Sequence, residues 1–423
     1  MQEINKYKKA SNHLIVACFL MIVFMMSSKY AYTAQMVEIL DVFGMREDKF
    51  TLAPTIYYII YATVQLILAV FISKLNMKRY MLISVGLSCV LTIIMAFSTG
   101  ITYFCIVMAI MGVAQAGVWA GCMYFLTKHL PTCMLQKANT MMTIAFPIGT
   151  VITYCIASVC VKLNAWWLCF VVIGCIFFAV LIYFITCVTI IEKMPRYLAL
   201  EIDEQRKQQA QDYSTTTIST TNLKVNISTK KRKILYYVLV GLTCFMVYNV
   251  YSSLIDFVPK MLADTHGLDN SLAIIFSVVV PIGVAFGPVL IIMICEKYSN
   301  YYFIALIASI VLVGVMVIVL FGYSTSIVVA LASVLVAAML ARAACSVFET
   351  VIVARMKDQI NAGSFSAYTN AIASFGAAAA PLIMGKSILH GWDFTYTLIL
   401  GESIVLILLI AGFTCFTKRT KKR

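Results

Sequence analysis

Charge is what this sequence has least of. Only 12% of its 423 residues are Asp, Glu, Lys or Arg, while 62% are hydrophobic and the mean hydropathy is +0.94. A soluble domain carries about 25% charged and about 45–50% apolar residues, so half the usual charge cannot cover a water-facing surface of this size. That excludes an ordinary soluble globular protein, and a disordered or collagen-like chain as well. Catalytic signatures are missing too: there is no P-loop, no HExxH, no GxSxG and no GxGxxG after a strand. Histidine occurs four times, at His13, His129, His266 and His390, all near span ends or in loops. The 14 cysteines form no CxxC pair and no Cys/His cluster with metal-ligand spacing. They read as small apolar packing groups. The chain is therefore expected to be no enzyme and to carry no metal or cofactor, and without a nucleotide-binding domain it is no ATP-driven pump.

What is present is a series of long apolar runs. A transmembrane helix needs about 20 predominantly apolar residues. Apolar segments lie at 13–37, 51–73, 80–98, 101–127, 139–161, 166–190, 234–259, 271–295, 301–321, 326–354, 365–388 and 394–416. A membrane barrel would show alternating segments of about ten residues, whereas runs such as Trp166 to Ile191 are unbroken. The spans are helices, because lipid offers backbone groups no other partner. The first segment is too long for a signal h-region and is read as an anchored first helix. The fold class expected is an all-α polytopic membrane protein with twelve transmembrane helices in two six-helix bundles.

One polar stretch divides the chain. It contains Ser214 followed by three threonines, and the basic run Lys230, Lys231, Arg232 and Lys233. The organisation expected is an N-terminal bundle over 1–191, a cytoplasmic linker over 192–233, and a C-terminal bundle with a basic tail over 234–423. With the N-terminus inside, 25 of the 32 Lys and Arg residues fall in inner segments, five in outer loops, and two inside spans. This asymmetry follows the positive-inside rule and predicts a multi-pass protein of the cell membrane with both termini cytoplasmic. It also accounts for the net charge of +14. In a soluble protein such an excess suggests nucleic acid; here it sits beside anionic headgroups, and no nucleic-acid partner is expected.

The two basic residues inside spans are Lys29 and Arg342. A charge near the bilayer centre costs about 2.5–3.5 kcal/mol on insertion scales, which marks such residues as functional by default. Lys29 reads as a counter-charge for an anion, with a lysine snorkelling to the interface as the bland alternative. Arg342 can bind the same anion or pair with Glu349, seven positions on. Glu349 is the better carboxylate for proton coupling, because Asp256 and Glu402 lie nearer span ends. Glycine and proline clusters, Pro147 with Gly149, Pro281 with Gly283, Gly287 with Pro288, and Gly376 with Pro381, mark hinges or fixed kinks.

The halves look weakly alike. Ser73 in the helix-2/3 turn matches Glu296 in the helix-8/9 turn, and helices 10 and 11 match helices 4 and 5, at an offset of about 225 residues. Duplicated units of this kind are typical of secondary transporters, with the substrate between the halves. The chain resembles the major facilitator superfamily over essentially its whole length. The turn Ala69 to Arg79 is similar to that family's signature loop, G-x-x-x-D-R-x-G-R-R, with Ala69 in place of the glycine and Ser73 in place of the aspartate. Lys74, Lys78 and Arg79 keep its basic character and Glu296 keeps the acid of the second copy. The resemblance implies a gating role for these four.

Within the superfamily the chain looks most like the organophosphate:phosphate antiporters and the related anion:cation symporters. Tyr57, Tyr58, Tyr61 and Gln65 resemble a Tyr-Gly-x-x-Lys/Gln segment. Gly112, Gln115 and Trp119 resemble Gly-x-x-Gln-Gly-x-x-Trp. Tyr251 to Pro259 resembles Arg-Tyr-Gly-x-x-Asp-Trp-x-Pro. Those transporters hold their anion with one arginine on helix 1 and one on helix 7. Here the first is replaced by Lys29 and the second by Tyr251, and the helix-5 histidine is absent. Paired guanidinium forks are what a bidentate phosphate clamp needs, so a monoanion such as a carboxylate fits better than a phosphate ester.

The substrate-binding set expected is therefore Lys29 and Arg342 with a polar aromatic lining. Tyr57, Tyr61 and Gln65 share one face of helix 2, and Gln115 and Trp119 repeat the spacing on helix 4. Tyr248, Asn249 and Tyr251 contribute from helix 7, and Tyr368 and Asn370 from helix 11; interhelical glue is the alternative role for any one of them. The function expected is secondary active transport of a small organic anion by alternating access, coupled to protons or to a counter-anion, by a monomer in the lipid bilayer. Two other readings remain: proton-coupled efflux of hydrophobic compounds, drawn from the Met- and aromatic-rich spans, and a non-transporting membrane receptor on a transporter fold.

Overall fold

The computed structural model describes residues 2–71, 75–195, 197–202, 230–298, 301–352 and 362–421. Among the described residues there are helices, turns and no strands. Among the described residues twelve helices are long and apolar enough to span a bilayer. In the first half they are α1 (Gln2–Ala34), α2 (Glu47–Leu68), α3 (Met77–Phe97), α4 (Ile101–His129), α5 (Cys133–Lys162) and α6 (Leu168–Glu192). In the second they are α7 (Ile234–Asp256), α8 (Asn270–Cys295), α9 (Tyr302–Gly322), α10 (Ile327–Ser346), α11 (Tyr368–His390) and α12 (Trp392–Cys415). The protein is a multi-pass membrane protein. The start of α1 and the end of α12 lie on the side here called the terminal face; the opposite side is the far face. Large apolar side chains such as Ile83, Phe321 and Val328, each at least 70% exposed, point outward, as a lipid-facing surface requires.

Helix boundaries differ from the apolar runs where polar residues extend a helix beyond the bilayer core. α1 begins at Gln2 rather than near residue 13, and its polar first turns are held by Tyr7, whose hydroxyl donates to the His129 carbonyl at 2.6 Å. At the other end of the chain's apolar alphabet, α10 stops at Ser346 and passes into a π-helical turn, Val347–Val351. Residues 203–229, most of the expected linker, lie outside the described residues, as does Lys74. The segment 197–202 is helical and buries Leu198, Ala199 and Ile202 against the first half.

Close helix packing repeats in both halves. A Cβ added to Gly149 on α5 would lie 2.5 Å from the Val23 carbonyl oxygen on α1. One added to Gly376 on α11 would collide with the Phe245 carbonyl on α7. Only glycine lets the backbones approach this closely, the usual device of helix pairing in lipid. The proline-containing helices behave differently. α8 is interrupted at Val278 and again at Ala285, each three residues before a proline, Pro281 and Pro288, because the ring removes one backbone donor and crowds the preceding turn. α5 and α11 run unbroken through Pro147 and Pro381.

The apolar core has two parts. One, built from Tyr32, Phe104, Tyr154 and Phe170 in the first half and Val250, Met261 and Phe348 in the second, runs continuously across the halves. Its first-half members come from the far-face ends of their helices. The other, around Met21, Phe125, Phe177 and Phe184, belongs to the terminal-face ends of the first half alone.

Candidate functional site

Between the halves lies a cavity of about 260 Å³. That is the volume of about nine liquid waters at about 30 Å³ each, room for a small solute. From the first half it is lined by Lys29 and Tyr30 on α1, Tyr57, Tyr58 and Tyr61 on α2, and Trp119 on α4. The second half contributes Tyr248, Tyr251 and Ser252 on α7, Arg342 on α10, and Thr369 and Asn370 on α11. Among the described residues no Asp or Glu lines it. The two cations thus come from different halves, and each sits in tyrosine. The Lys29 Nζ lies 4.2 Å from the Tyr58 ring centroid, 4.8 Å from Tyr30 and 5.8 Å from Tyr57. Arg342 has its Cζ 5.7 Å from the Tyr248 ring and 5.6 Å from that of Tyr251, and its Nη1 donates to the Tyr248 hydroxyl at 3.0 Å. Ring faces attract a cation, and these contacts hold both side chains beside the cavity.

Eight of the twelve expected lining residues, Lys29 and Arg342 among them, reach this cavity; four do not. Gln115 is fully buried, accepts from the Tyr57 hydroxyl at 2.8 Å and donates to Ser28 Oγ at 3.2 Å. It parts from Trp119 because α4 is interrupted between Gln115 and Val118, which breaks the four-residue register. Asn249 is 1% exposed and turned towards Glu402 on α12, one residue being a rotation of about 100° from Tyr248. Tyr368 donates its hydroxyl to the Tyr237 carbonyl at 2.9 Å; it is two positions from Asn370, so the two cannot share a face. Gln65 lies one turn beyond Tyr61, outside the lining, with its Oε1 buried and unpartnered. Three of these four serve as hydrogen-bonding contacts between helices.

Of the expected gating residues, Lys78 and Arg79 sit apart from the cavity. Lys78 Nζ meets Glu192 Oε2 at 2.7 Å, tying α3 to the end of α6 within the first half. The backbone N–H of Arg79 is capped by Asn76 Oδ1 at 3.2 Å. The side chains of Glu296 and Glu349 lie outside the described residues, and the backbone of Glu349 belongs to the π-helical turn.

Three residues around Lys29 escape a reading by face. Tyr30 adjoins it in sequence, and Tyr58 is next to Tyr57, so a single-face argument discards both. Asp256 looks like a loop-proximal acid, yet it is 4% exposed and shares with Lys29, Tyr30 and Tyr58 a second, small cavity of about 10 Å³.

The halves meet at the far face. Lys260, on a short helix after α7 (Val258–His266), pairs with Glu47 at 3.2 Å and with Asp264 at 2.9 Å. Asn270 donates to Glu38 at 3.0 Å and to Asp41 at 3.1 Å, on the matching short helix Met36–Phe43 after α1. Ser158 on α5 and Ser271 on α8 each donate to the other's carbonyl oxygen at 2.9 Å. Burial works to lower the Lys260 pKa, and the carboxylates of Asp264 and Glu47 outweigh it, leaving the ammonium above the usual lysine value.

Twelve spans in two bundles around a midplane cavity are matched by sequence. A family model described as the Major Facilitator Superfamily covers residues 16–381. The chain belongs to the major facilitator superfamily. It is a transporter rather than an enzyme. Solved structures with the same fold include a bacterial homolog of the human lysosomal transporter Spinster in an inward-facing, occupied conformation (13% identity, 96% of each chain covered, TM-score 0.70). The D-xylose-proton symporter is also similar, at 13% identity over 95% of this chain and 97% of that one, TM-score 0.71. So is a mutant of the nucleoside transporter NupG, at 12% identity over 96% of this chain and 99% of that one, TM-score 0.71. At these identities the likeness speaks for the fold alone. Curated protein sequences provide no match.

Proposed function

We propose that this superfamily member is a secondary active transporter of a small organic anion, a monocarboxylate or similar, working by alternating access. The observation that carries the reading is a cavity with two cations, one from each half, and, among the described residues, no carboxylate in its lining. Two positive charges in a low-dielectric pocket favour an anion by several kcal/mol over a neutral or cationic solute. The volume of about 260 Å³ suits a compact molecule, and it speaks against bulky hydrophobic compounds. Lys29 is a point charge and Arg342 the one fork, so a carboxylate fits the donors better than a phosphate ester does. The lining tyrosines and Asn370 supply further donors.

The contacts that join the halves at the far face suit one end state of a rocking cycle, in which they break as the terminal face closes. The positive-inside bias supports a cytoplasmic terminal face in the cell membrane. The cavity is complete within one chain, which supports a monomer as the working unit. In proteoliposomes, saturable uptake of a labelled monocarboxylate from a panel of lactate, pyruvate and benzoate is expected. Lys29→Ala should abolish it. Uptake of none of the panel by the wild type, or unchanged uptake in the variant, would sink the reading.

A further inference from the structure

We propose that Asp256, held opposite Lys29 across the interface between the halves, is the proton-coupling carboxylate, taking up one proton when an anion binds Lys29. The inference rests on the anion reading above and extends it to the coupling step.

Lys29 stands between two chambers. It lines the main cavity, and it lines the small cavity of about 10 Å³ that contains Asp256. Asp256 is the last residue of α7 and is 4% exposed; its Oδ1 is buried without a hydrogen-bond partner, and it takes part in none of the ion pairs among the described residues. A buried carboxylate without donors persists only if a nearby charge compensates it or if it is protonated. The groups within electrostatic reach are Lys29 and Tyr30 on α1, Tyr58 on α2 and Tyr154 on α5. Only Lys29 among them is positive. A volume near 10 Å³ is at the threshold for one water, so the ammonium and the carboxylate share the lining of one small space without forming a direct ion pair among the described residues.

One ammonium thus has two possible anionic partners, Asp256 and a bound anion. In the empty state Lys29 compensates Asp256. An anion in the main cavity draws the ammonium towards itself, Asp256 loses its compensation, and its carboxylate takes a proton from water. Release reverses the order: the anion leaves, Lys29 returns to Asp256, and the proton is expelled to the same side. The atoms and charges balance at one monoanion and one proton per cycle. Partly loaded states are penalised. Anion without proton leaves a buried, uncompensated carboxylate, and proton without anion leaves Lys29 with no anionic partner. Because Lys29 belongs to the first half and Asp256 to the second, the pair also reports on whether the halves are together at this depth.

Two measurements test the proposal, both on the full chain. In weakly buffered detergent at neutral pH with an indicator dye, wild-type protein should take up about one proton per lactate, pyruvate or benzoate bound, and Asp256→Asn none. In proteoliposomes with an inward proton gradient, the wild type should concentrate the labelled anion above the bath. Asp256→Asn should reach only the bath concentration while still exchanging labelled for unlabelled anion in counterflow. Gradient-driven accumulation by the variant, or anion binding by the wild type without proton uptake, overturns the assignment. Loss of counterflow together with accumulation in a variant that still binds the anion overturns it too, since Asp256 would then be needed for movement itself. If the wild type neither binds nor moves any of the three anions, the transport reading fails first and this one with it.

Discussion

Lys260→Ala should loosen the far face without unfolding the protein. The lysine is 15% exposed and its partner across the interface, Glu47, is 19% exposed. A solvent-exposed pair contributes about 0.2–1 kcal/mol, and a hydrogen bond to a charged group about 1.5–3 kcal/mol. The pair sits between these cases, and Asp264 competes for the same ammonium at 2.9 Å. A contribution of about 1–2 kcal/mol to the closed arrangement follows, a factor of about 5–30 in its population. The contacts of Asn270 with Glu38 and Asp41, and of Ser158 with Ser271, remain in the variant, so the halves should open more often rather than stay apart. Hydrogen exchange reads this directly, because protection follows the free energy of local opening. Amides of the two short helices, Met36–Phe43 and Val258–His266, should exchange about 5–30 times faster, with α3 and α9 unchanged. Glu47→Gln, which keeps the shape, should give much the same result, and combining the two should add little. Unaltered protection in both short helices would refute the role given to this pair. Equal acceleration throughout the chain would refute it as well, by pointing to global destabilisation.

The same contact has a pH dependence of known sign. The folded pKa of Lys260 is raised, so its contribution is fully present below the usual lysine value of 10.5 and is lost as pH climbs beyond it; exchange in the short helices should be flat from pH 7 to 9 apart from the intrinsic rate, and a loosening within that window would contradict the pairing. Arg342→Lys keeps the charge but loses the fork that donates to the Tyr248 hydroxyl at 3.0 Å, so KM for the transported anion should rise about 5–30-fold, an effect of about 1–2 kcal/mol; an unchanged KM would show that charge alone suffices. Gly149→Ala places a Cβ 2.5 Å from the Val23 carbonyl oxygen and 2.7 Å from Met26 Cβ, an overpacking cost of about 1–3 kcal/mol; the melting temperature in detergent should fall, and an unaltered one would mean that α1 and α5 separate freely.

The architecture was largely legible in the sequence because the bilayer imposes one solution on each apolar run. Span number follows from hydropathy, and twelve such helices are found among the described residues; charge placement singles out Lys29 and Arg342, and both line the cavity. What escaped is local register. Gln115 and Trp119 share a face in an ideal helix, and the interruption after Gln115 separates them. The break falls at Gly117, but glycine is common within membrane helices, so its presence alone does not announce one. Tyr58 escaped for the opposite reason. Helix-face arithmetic assigns one side of α2 to the cavity, but α2 lies where the two halves meet and turns more than one side towards polar neighbours. Asp256 was set aside by its place near a span end. Only the folded chain shows that this end is covered by the first half, with Thr33, Pro54 and Met108 lining the same small cavity as Asp256.

The proposed coupling fixes the electrical character of transport, and this can be tested without a variant. Binding one monoanion and protonating Asp256 adds one negative and one positive charge, so the loaded site carries the same net charge as the empty one. The protein therefore carries the same site charge through the membrane in both directions, and the cargo, an anion plus a proton, is neutral. Accumulation should then follow the proton gradient and ignore the membrane potential. The alternative, anion movement without a proton, carries one charge. At 100 mV that charge is worth about 2.3 kcal/mol, about a 40-fold difference in accumulation at about 1.4 kcal/mol per tenfold. Proteoliposomes with a potassium diffusion potential set by valinomycin distinguish the two at constant pH. Equal accumulation at 0 and 100 mV, in either polarity, is expected. A dependence anywhere near 40-fold would mean that no proton accompanies the anion, and would remove Asp256 from the cycle whatever its distance from Lys29.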